Sequence, residues 1–203
     1  MSKKYLFIIF ILFFITPVFG ENQRIYCSEG FNGAISCGHP LAAKTAIKVL
    51  KDGGNAVDAA IAAAFVLGVV DFTNSGIGGE GYALILNTDG KMIAIDGSTR
   101  RPSNKIINEY KCTISLPAIP EMLLKMRRLY GSKSLSNLLK PAIELCNNGF
   151  EVTPYLASII KERIPKIKDL KAINLIAPNK KPLKAGEILK QPKLEQTLRR
   201  LAY

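Results

Sequence analysis

Apolar residues recur at intervals of three and four along the first clearly patterned stretch, "HPLAAKTAIKVLKDGG". This spacing predicts a helix that begins near Pro40 and ends at Gly53-Gly54, where glycine permits a left-handed turn. Asn55 is then placed to cap a second helix, residues 56–70. That helix has Asp58 as its only charge and is apolar almost all round, so it is predicted to be a central core helix.

Two short apolar runs around a turn follow residue 80. Residues 81–87, "GYALILN", and residues 91–96, "KMIAID", flank a turn that contains Asp-Gly, which predicts a β-hairpin. An apolar segment at residues 33–37 is predicted to form a short buried strand ahead of the first helix. The pattern therefore indicates the α+β class.

The segment before the hairpin, "TNSGIGGEGYALIL", contains glycines with the spacing of a dinucleotide-binding loop: Gly76, Gly78 and Gly81. Such a loop binds a pyrophosphate only when a strand precedes it and a helix follows it. Here the predicted order is helix, loop, strand, so the pattern argues against nucleotide binding. The glycines are interpreted instead as permitting positive φ and tight contact between the loop and the core.

The remainder of the chain is mostly helical in pattern. "PAIPEMLLKMRRLYG" and "SLSNLLKPAIELCNNG" carry apolar residues at i, i+3 and i+4, and Pro141 is predicted to start a new helix. "TPYLASIIKERI" and "PKLEQTLRRLA" predict two further amphipathic helices, with a turn-rich loop at residues 177–189 between them. No repeat or linker marks a second domain.

The N-terminal 20 residues have the pattern of a signal peptide. Lys3 and Lys4 precede an apolar run and the segment "PVFG", which predicts cleavage after Gly20 and export to the periplasm or outside the cell. The apolar run is short for a membrane span, although an uncleaved anchor remains an alternative. Residues 21–203 are then expected to form one domain without a stable membrane span.

The chain is basic, with 28 Lys and Arg against 16 Asp and Glu and a net charge of +12. The lysines of the C-terminal third have almost no aromatic residues between them, and no nucleic-acid motif is present. We therefore interpret them as a solvated basic face and predict no nucleic-acid partner.

The remaining polar candidates are interpreted as structural. Four cysteines, Cys27, Cys37, Cys112 and Cys146, permit one or two disulfides in an exported chain, with three full pairings open. The only histidine, His39, is interpreted as a helix-entry residue, so neither a metal site nor a cofactor is predicted. Asp96 is expected to order its own loop. Asp58, buried among alanines, needs hydrogen-bond partners to remain charged.

Several long blocks together resemble one enzyme family. They are "GHPLAAKTAIKVLKDGGNAVDAAIAAAFVLGVVDFTNSGIGGEGYALIL", "AIDGSTRRP", "YGSKSLSNLLKPAIELCNNGFEVTP" and "LIAPNKKPLKAGEILKQPKLEQTLRRLA". They are similar, in order, to the N-terminal part of the large subunit of the γ-glutamyltranspeptidases, across residues 33–202. The resemblance implies part of the αββα sandwich of N-terminal-nucleophile hydrolases.

The same resemblance implies a mechanism. The family precursor cleaves itself and exposes a threonine whose hydroxyl attacks the γ-glutamyl amide of glutathione or a related amide, with its own α-amine as base. The acyl group then passes to water or to an amino acid. None of the eight threonines in this sequence begins a comparable block. No catalytic residue is therefore assigned, and the chain is expected to be a truncated or split member that is inactive alone.

The loop after the hairpin, "DGSTRRP", departs from the glutathione-cleaving members. There, an arginine two residues after the aspartate binds the α-carboxylate of the substrate, and Ser98 occupies that position here. Arg100 coincides with an arginine of the amidase and acylase-like branch. Ser98 and Arg100 are the candidate substrate-binding residues, with an exposed loop arginine as the plainer alternative for Arg100 and Arg101.

Three hypotheses remain open from the sequence. The first is the inactive member of the family just described. The second is one chain of an amidase or acylase that a separate small-subunit chain completes. The third is a non-enzymatic exported domain whose basic face binds anionic membranes or polymers.

Overall fold

Helices and two small antiparallel sheets make up the part of the chain that the computed structural model describes, which is residues 33–100, 116–167 and 170–203. The predicted signal peptide, Cys27, Cys112 and Arg101 lie outside these residues. The helices are α1 (Pro40–Lys51), α2 (Ala56–Val70), α3 (Phe72–Ser75), α4 (Ile119–Tyr130), α5 (Leu135–Asn148), α6 (Pro154–Arg163), α7 (Leu170–Ile176) and α8 (Pro192–Ala202). The strands are β1 (Gly81–Leu86), β2 (Met92–Gly97), β3 (Phe150–Glu151) and β4 (Ile188–Leu189).

Helix α2 lies at the centre of the hydrophobic core, as its all-round apolar pattern predicts. It packs against α1, α4 and α5, and α8 packs against α5. Ala42 and Ala46 of α1 are fully buried, so small side chains let the two helices approach closely. Ile61 and Phe65 of α2 are also fully buried, and each contributes about 1.5–3 kcal/mol through burial of apolar surface.

The N-terminus of α2 is held by hydrogen bonds to a distant loop. Asn55 caps the helix through a reciprocal pair with Asp58, and its side-chain amide donates to the carbonyl of Tyr130 at 2.7 Å. The fully buried Asp58 carboxylate accepts from the Ser132 hydroxyl at 2.6 Å and from the Ser132 and Lys133 backbone N–H groups at 3.0 and 3.1 Å. The loop between α4 and α5 is thereby fixed against α2.

These bonds explain how a charge is retained inside the core. Burial favours the neutral acid and by itself raises the pKa of Asp58. The hydrogen bonds from the Ser132 hydroxyl and from the backbone N–H groups of Asn55, Lys133 and Ser132 outweigh that effect, so the pKa lies below its ordinary value. The expected need of Asp58 for hydrogen-bond partners is confirmed.

The β1–β2 hairpin packs on α4 through its glycine ends. Its register pairs Gly81 with Gly97. A Cβ at Gly81 would lie 2.7 Å from Ile119 Cδ1, and a Cβ at Gly97 would lie 2.7 Å from Met122 Sδ, so either would clash with α4. This close approach, together with the bonds from the Ala118 and Ile119 N–H groups to the Gly79 carbonyl, joins the hairpin to α4. The predicted hairpin is confirmed, and the tight contact with the core that was predicted for the glycine loop is found at Gly81 but not at Gly78.

The two faces of the hairpin differ. One face turns towards the core, where Ile95 is buried and Ala83, Ile85 and Ile93 are half-buried. The opposite face exposes large apolar side chains, with Tyr82, Leu84, Leu86 and Met92 between 64% and 74% exposed. No strand of the described residues covers that outward face.

Three local predictions were wrong. Residues 33–37 form no strand and are exposed or half-buried, because no described strand pairs with them. Pro141 lies inside α5 rather than at the start of a new helix. Proline in a helix interior costs about 3 kcal/mol, and burial of Leu138, Leu139, Ala142 and Ile143 around it offsets that cost. Gly76, Gly78 and Gly81 do not have positive φ.

Among the described residues, no helix combines the length and apolar character that a membrane crossing requires.

We expect Asp58→Ala to lower the free energy of unfolding by about 3–5 kcal/mol, because three backbone N–H groups and a hydroxyl lose their buried acceptor. Ser132→Ala is the matched control. It removes one donor while leaving the carboxylate its backbone partners, and it should cost about 1 kcal/mol. Urea unfolding followed by circular dichroism measures both values. Equal losses for the two variants would show that the carboxylate does not organise the loop.

Candidate functional site

A cluster of polar side chains lies at the glycine end of the outward hairpin face. Tyr82 and Asp96 are directly opposed in the β1–β2 register, and alternation puts Glu80 and Ser98 on the same face just beyond them. Ser98 donates both its backbone N–H, at 2.8 Å, and its hydroxyl to Asp96 Oδ1. The Ser98 Oγ is also hydrogen-bonded to the Tyr82 hydroxyl at 3.0 Å.

Glu80 fixes the loop that carries the two predicted substrate-binding residues. Its Oε2 accepts from the Thr99 N–H at 3.2 Å and from the Thr99 hydroxyl at 3.0 Å. On the other side of Thr99, the Arg100 carbonyl accepts from the Leu116 N–H at 2.8 Å. The loop is therefore held at both ends before any substrate is present.

A cleft of about 720 Å³ adjoins this cluster. Helix α3, the glycine loop and the start of α4 form its walls, and Glu80 and Tyr82 belong to both the cleft and the cluster. Ile119 and Met122 supply apolar surface on one side. The volume is in the range of pockets that bind small molecules.

The cluster carries two carboxylates, Glu80 and Asp96, and the cations Arg100 and Lys125 act on Asp96. Hydrogen bonds from the Ser98 hydroxyl and backbone N–H, followed by attraction to Arg100 and Lys125, hold the pKa of Asp96 below its ordinary value. Asp96 is therefore ionised at neutral pH, and the Arg100 guanidinium is exposed and close enough to act on it. Such a pair suits a ligand that carries both a carboxylate and an ammonium group.

The structure brings Ser98 and Arg100 to the same loop, and Ser98 faces Asp96 and Tyr82 rather than standing free. The bond from the Ser98 N–H agrees with the expected role of Asp96 in ordering its loop. Sequence reasoning missed Glu80 and Tyr82. The signal that reveals them is the hairpin register, because it puts residues 80, 82, 96 and 98 on one face.

The remaining candidates lie elsewhere. His39 is the N-cap of α1, and its Nδ1 accepts from the Leu41 N–H at 3.2 Å. Its Nε2 is buried and has no hydrogen-bond partner among the described residues. Cys37 and Cys146 are free thiols, and burial raises the pKa of Cys146 to about 12. Across the described ranges, no group of three His, Cys, Asp or Glu side chains is arranged to hold a metal ion.

Comparison with known proteins gives the family. Residues 42–203 match the family model described as gamma-glutamyltranspeptidase, so the chain belongs to the γ-glutamyltranspeptidase family. It is 38% identical over 167 residues to the capsule biosynthesis protein CapD proenzyme of Bacillus anthracis, covering 82% of this chain and 31% of that protein. It is 31% identical over 189 residues to the glutathione hydrolase proenzyme of Bacillus subtilis strain 168, covering 84% and 32%.

Solved structures agree with this result. The Helicobacter pylori γ-glutamyltranspeptidase superimposes with a TM-score of 0.81 at 28% identity, covering 87% of this chain and 55% of that one. A cephalosporin acylase from Bacillus halodurans gives a TM-score of 0.72 at 27% identity, covering 88% and 39%. The predicted α+β class and N-terminal-nucleophile hydrolase fold are confirmed. The chain spans about a third of the length of the two proenzymes named above.

The cap made by His39 predicts a pH-dependent stability. Burial lowers the pKa of His39 and outweighs the attraction of Asp71, which raises it. A folded-state pKa below the unfolded value of about 6.5 means that the stabilising contribution is complete above about pH 6.5. It is lost as the pH falls from there through the folded-state pKa, because protonated Nδ1 cannot accept from Leu41.

We expect the free energy of unfolding to fall as the pH is lowered below about 6.5. His39→Asn keeps a capping acceptor without a titrating ring and should flatten this part of the profile. Because His39 is the only histidine, no other imidazole can account for the slope. An unchanged slope in His39→Asn would rule out this origin.

Proposed function

We propose that this chain supplies the N-terminal, large-subunit portion of a γ-glutamyltranspeptidase-type amidase or acylase. The family membership of residues 42–203 supports the reaction class, which is transfer or hydrolysis of an acyl group held in an amide. The observation that carries the proposal is the polar cluster at the hairpin end. Tyr82 lines a cleft of about 720 Å³ there, Ser98 links Tyr82 to Asp96, and Arg100 attracts Asp96.

Within this site, Arg100 binds the carboxylate of the acyl group. Guanidinium geometry suits a carboxylate because two parallel N–H groups can meet its two oxygens. The bonds of Thr99 to Glu80 and of Arg100 to Leu116 hold the backbone from which Arg100 extends. Ser98 orients Asp96 and Tyr82 through the hydrogen bonds of its hydroxyl.

The attacking hydroxyl comes from a segment beyond these 203 residues, in the same polypeptide or in a separate small-subunit chain. The threonine of this mechanism gains its free α-amine when the precursor cleaves itself, and none of the eight threonines of this sequence begins a block like the one that is cleaved in the family. The hydroxyls of Thr45 and Thr197 donate to helix carbonyls, and that of Thr153 caps α6. The exposed apolar face of Leu84, Leu86 and Met92 supports this proposal, because a complementary segment can cover it.

The substrate is a γ-glutamyl amide of the glutathione type or another acyl amide. Ser98 at the position of the carboxylate-binding arginine favours an amidase or acylase-like acyl group over glutathione itself. The Lys3–Lys4 and apolar leader pattern supports action outside the cytoplasm, in the periplasm or as a secreted protein.

The direct test is a chimera. Residues 33–203 replace the matched segment of the Bacillus subtilis glutathione hydrolase proenzyme, and release of p-nitroaniline from γ-glutamyl-p-nitroanilide is measured. Cleavage of the chimera into two chains reports that it has folded. We expect turnover by the processed chimera and none by the 203-residue chain alone.

Arg100→Ala in the chimera should lower kcat/KM about 10- to 100-fold, chiefly through KM, because a charge-assisted bond of about 1.5–3 kcal/mol is lost. Arg100→Lys keeps the positive charge but lacks the two parallel N–H donors of the guanidinium, so it should recover only part of the activity. Arg128→Ala, at an exposed arginine of α4, is the control and should have no effect. Unchanged kinetics in Arg100→Ala would exclude Arg100 from substrate binding, and turnover by the lone chain would exclude the external nucleophile.

A further inference from the structure

The cleft beside the hairpin differs in charge from the rest of the molecule. The whole chain has a net charge of +12, yet no Lys, Arg or His among the described residues lines this cleft. Glu80 is the one charged side chain in the part of its lining that the structure describes. Such a site attracts cations and disfavours anions. The cleft is therefore unsuited to the acyl carboxylate that we assign to Arg100, and it suits another part of the substrate.

Only part of the Glu80 carboxylate is used within the described ranges. Its Oε2 accepts from the Thr99 N–H and hydroxyl, and no hydrogen bond to Oε1 is formed there. No cation of the described residues forms an ion pair with Glu80. Asp96, the other carboxylate of the cluster, differs, because Ser98 donates to it and Arg100 attracts it. Glu80 therefore retains a free acceptor oxygen and an unmatched charge at the cleft.

The walls of the cleft suit an aliphatic chain that leads to a cation. Helices α2, α3 and α4 contribute four apolar side chains to the lining: Leu67, Phe72, Ile119 and Met122. Helix α3 also contributes Thr73 and Ser75, whose hydroxyls carry no charge. Apolar walls with one carboxylate fit an alkyl chain that ends in a cation, because the chain leaves water while its cationic end donates to the carboxylate.

Glu80 also connects the cleft to the loop that carries Arg100. Thr99, which Glu80 holds by two hydrogen bonds, directly precedes Arg100 in the chain, whereas Arg100 itself does not line the cleft. A single amide can therefore set its acyl carboxylate at Arg100 and direct its amine part into the cleft.

We propose that the cleft binds an alkyl chain ending in a cationic group, an ammonium or a guanidinium, and that Glu80 pairs with that group. The assignment of this chain to the amine part of the substrate rests on the proposed function. In transfer, the free amine at the other end of such an acceptor forms the new amide bond. The ester bond between the acyl carbon and the threonine oxygen then breaks, and a proton from the amine returns to that oxygen.

The transfer test uses three acceptor amines with the same alkyl chain and a cationic, neutral or anionic second group: cadaverine, 5-aminopentanol and 6-aminohexanoate. The chimera described above, with γ-glutamyl-p-nitroanilide as donor, gives kcat/KM for each acceptor, corrected for the two equivalent amines of cadaverine. Each value is divided by that for 5-aminopentanol, so a change in donor binding cancels. Glu80→Gln removes the charge but keeps an oxygen that can accept from Thr99. Glu121→Gln, at an exposed carboxylate of α4 outside the cleft lining, is the control.

We expect the chimera to prefer cadaverine to 5-aminopentanol by about fivefold or more, and 6-aminohexanoate to be poorer than either. The cadaverine ratio should fall towards one in Glu80→Gln and stay unchanged in Glu121→Gln. A ratio near one in the unaltered chimera would overturn this inference and leave the proposed function standing. Equal losses in the two variants would overturn it as well.

A binding measurement separates the cation site from the proposed function. Cadaverine is titrated into the ¹⁵N-labelled 203-residue protein, with 1,5-pentanediol as the uncharged probe, and the amide chemical shifts are followed. We expect shifts at Gly78, Gly79 and Gly81 that pentanediol does not produce and that Glu80→Gln abolishes. These shifts together with an inactive chimera would contradict the proposed function and support the cation site. Their absence, or their persistence in Glu80→Gln, would overturn the cation site.

Discussion

The buried carboxylate of Asp58 is the interaction on which the rest of the structure depends. It sits at the first turn of the central helix α2 and accepts hydrogen bonds from Ser132 and Lys133, more than 70 residues away in sequence. Asn55 adds a bond to the Tyr130 carbonyl, and the Lys133 ammonium donates to the Asp52 carbonyl at 2.8 Å. The end of α1, the start of α2 and the loop from α4 to α5 therefore meet at one point.

This junction positions the candidate site indirectly. Fixing the end of α4 sets the direction of that helix, and its other end holds the hairpin through the Gly79 carbonyl and the close contact at Gly81 and Gly97. The polar cluster then stands at the glycine end of the hairpin, beside the cleft. The same arrangement leaves the outward hairpin face without a covering strand in the described residues. One hairpin thus carries both the polar cluster, at its glycine end, and the exposed apolar face that a complementary segment can cover.

The sequence predicted the structure correctly where that structure depends on residues that are close together in the chain. The helix Ala56–Val70 and the hairpin follow from apolar periodicity and turn residues, and the need of Asp58 for partners follows from its charge in an apolar helix. The identity of those partners did not follow, because Ser132 and Lys133 are ordinary loop residues until the chain folds. The predictions of a strand at residues 33–37 and of a helix start at Pro141 were wrong for the same reason. Strand pairing and helix continuity are decided by packing against residues that are distant in sequence. Glu80 and Tyr82 could be recognised only once the register was known.

Hydrogen exchange of the Ser132 and Lys133 amides in the intact 203-residue protein tests the central role of Asp58 most directly. If the buried carboxylate holds the loop to α2, both amides open only with the core, and they should exchange as slowly as the amides of Phe65 and Val66. Exchange at the rate of the exposed hairpin turn around Gly90 would contradict the account, since the loop would then open without disturbing α2.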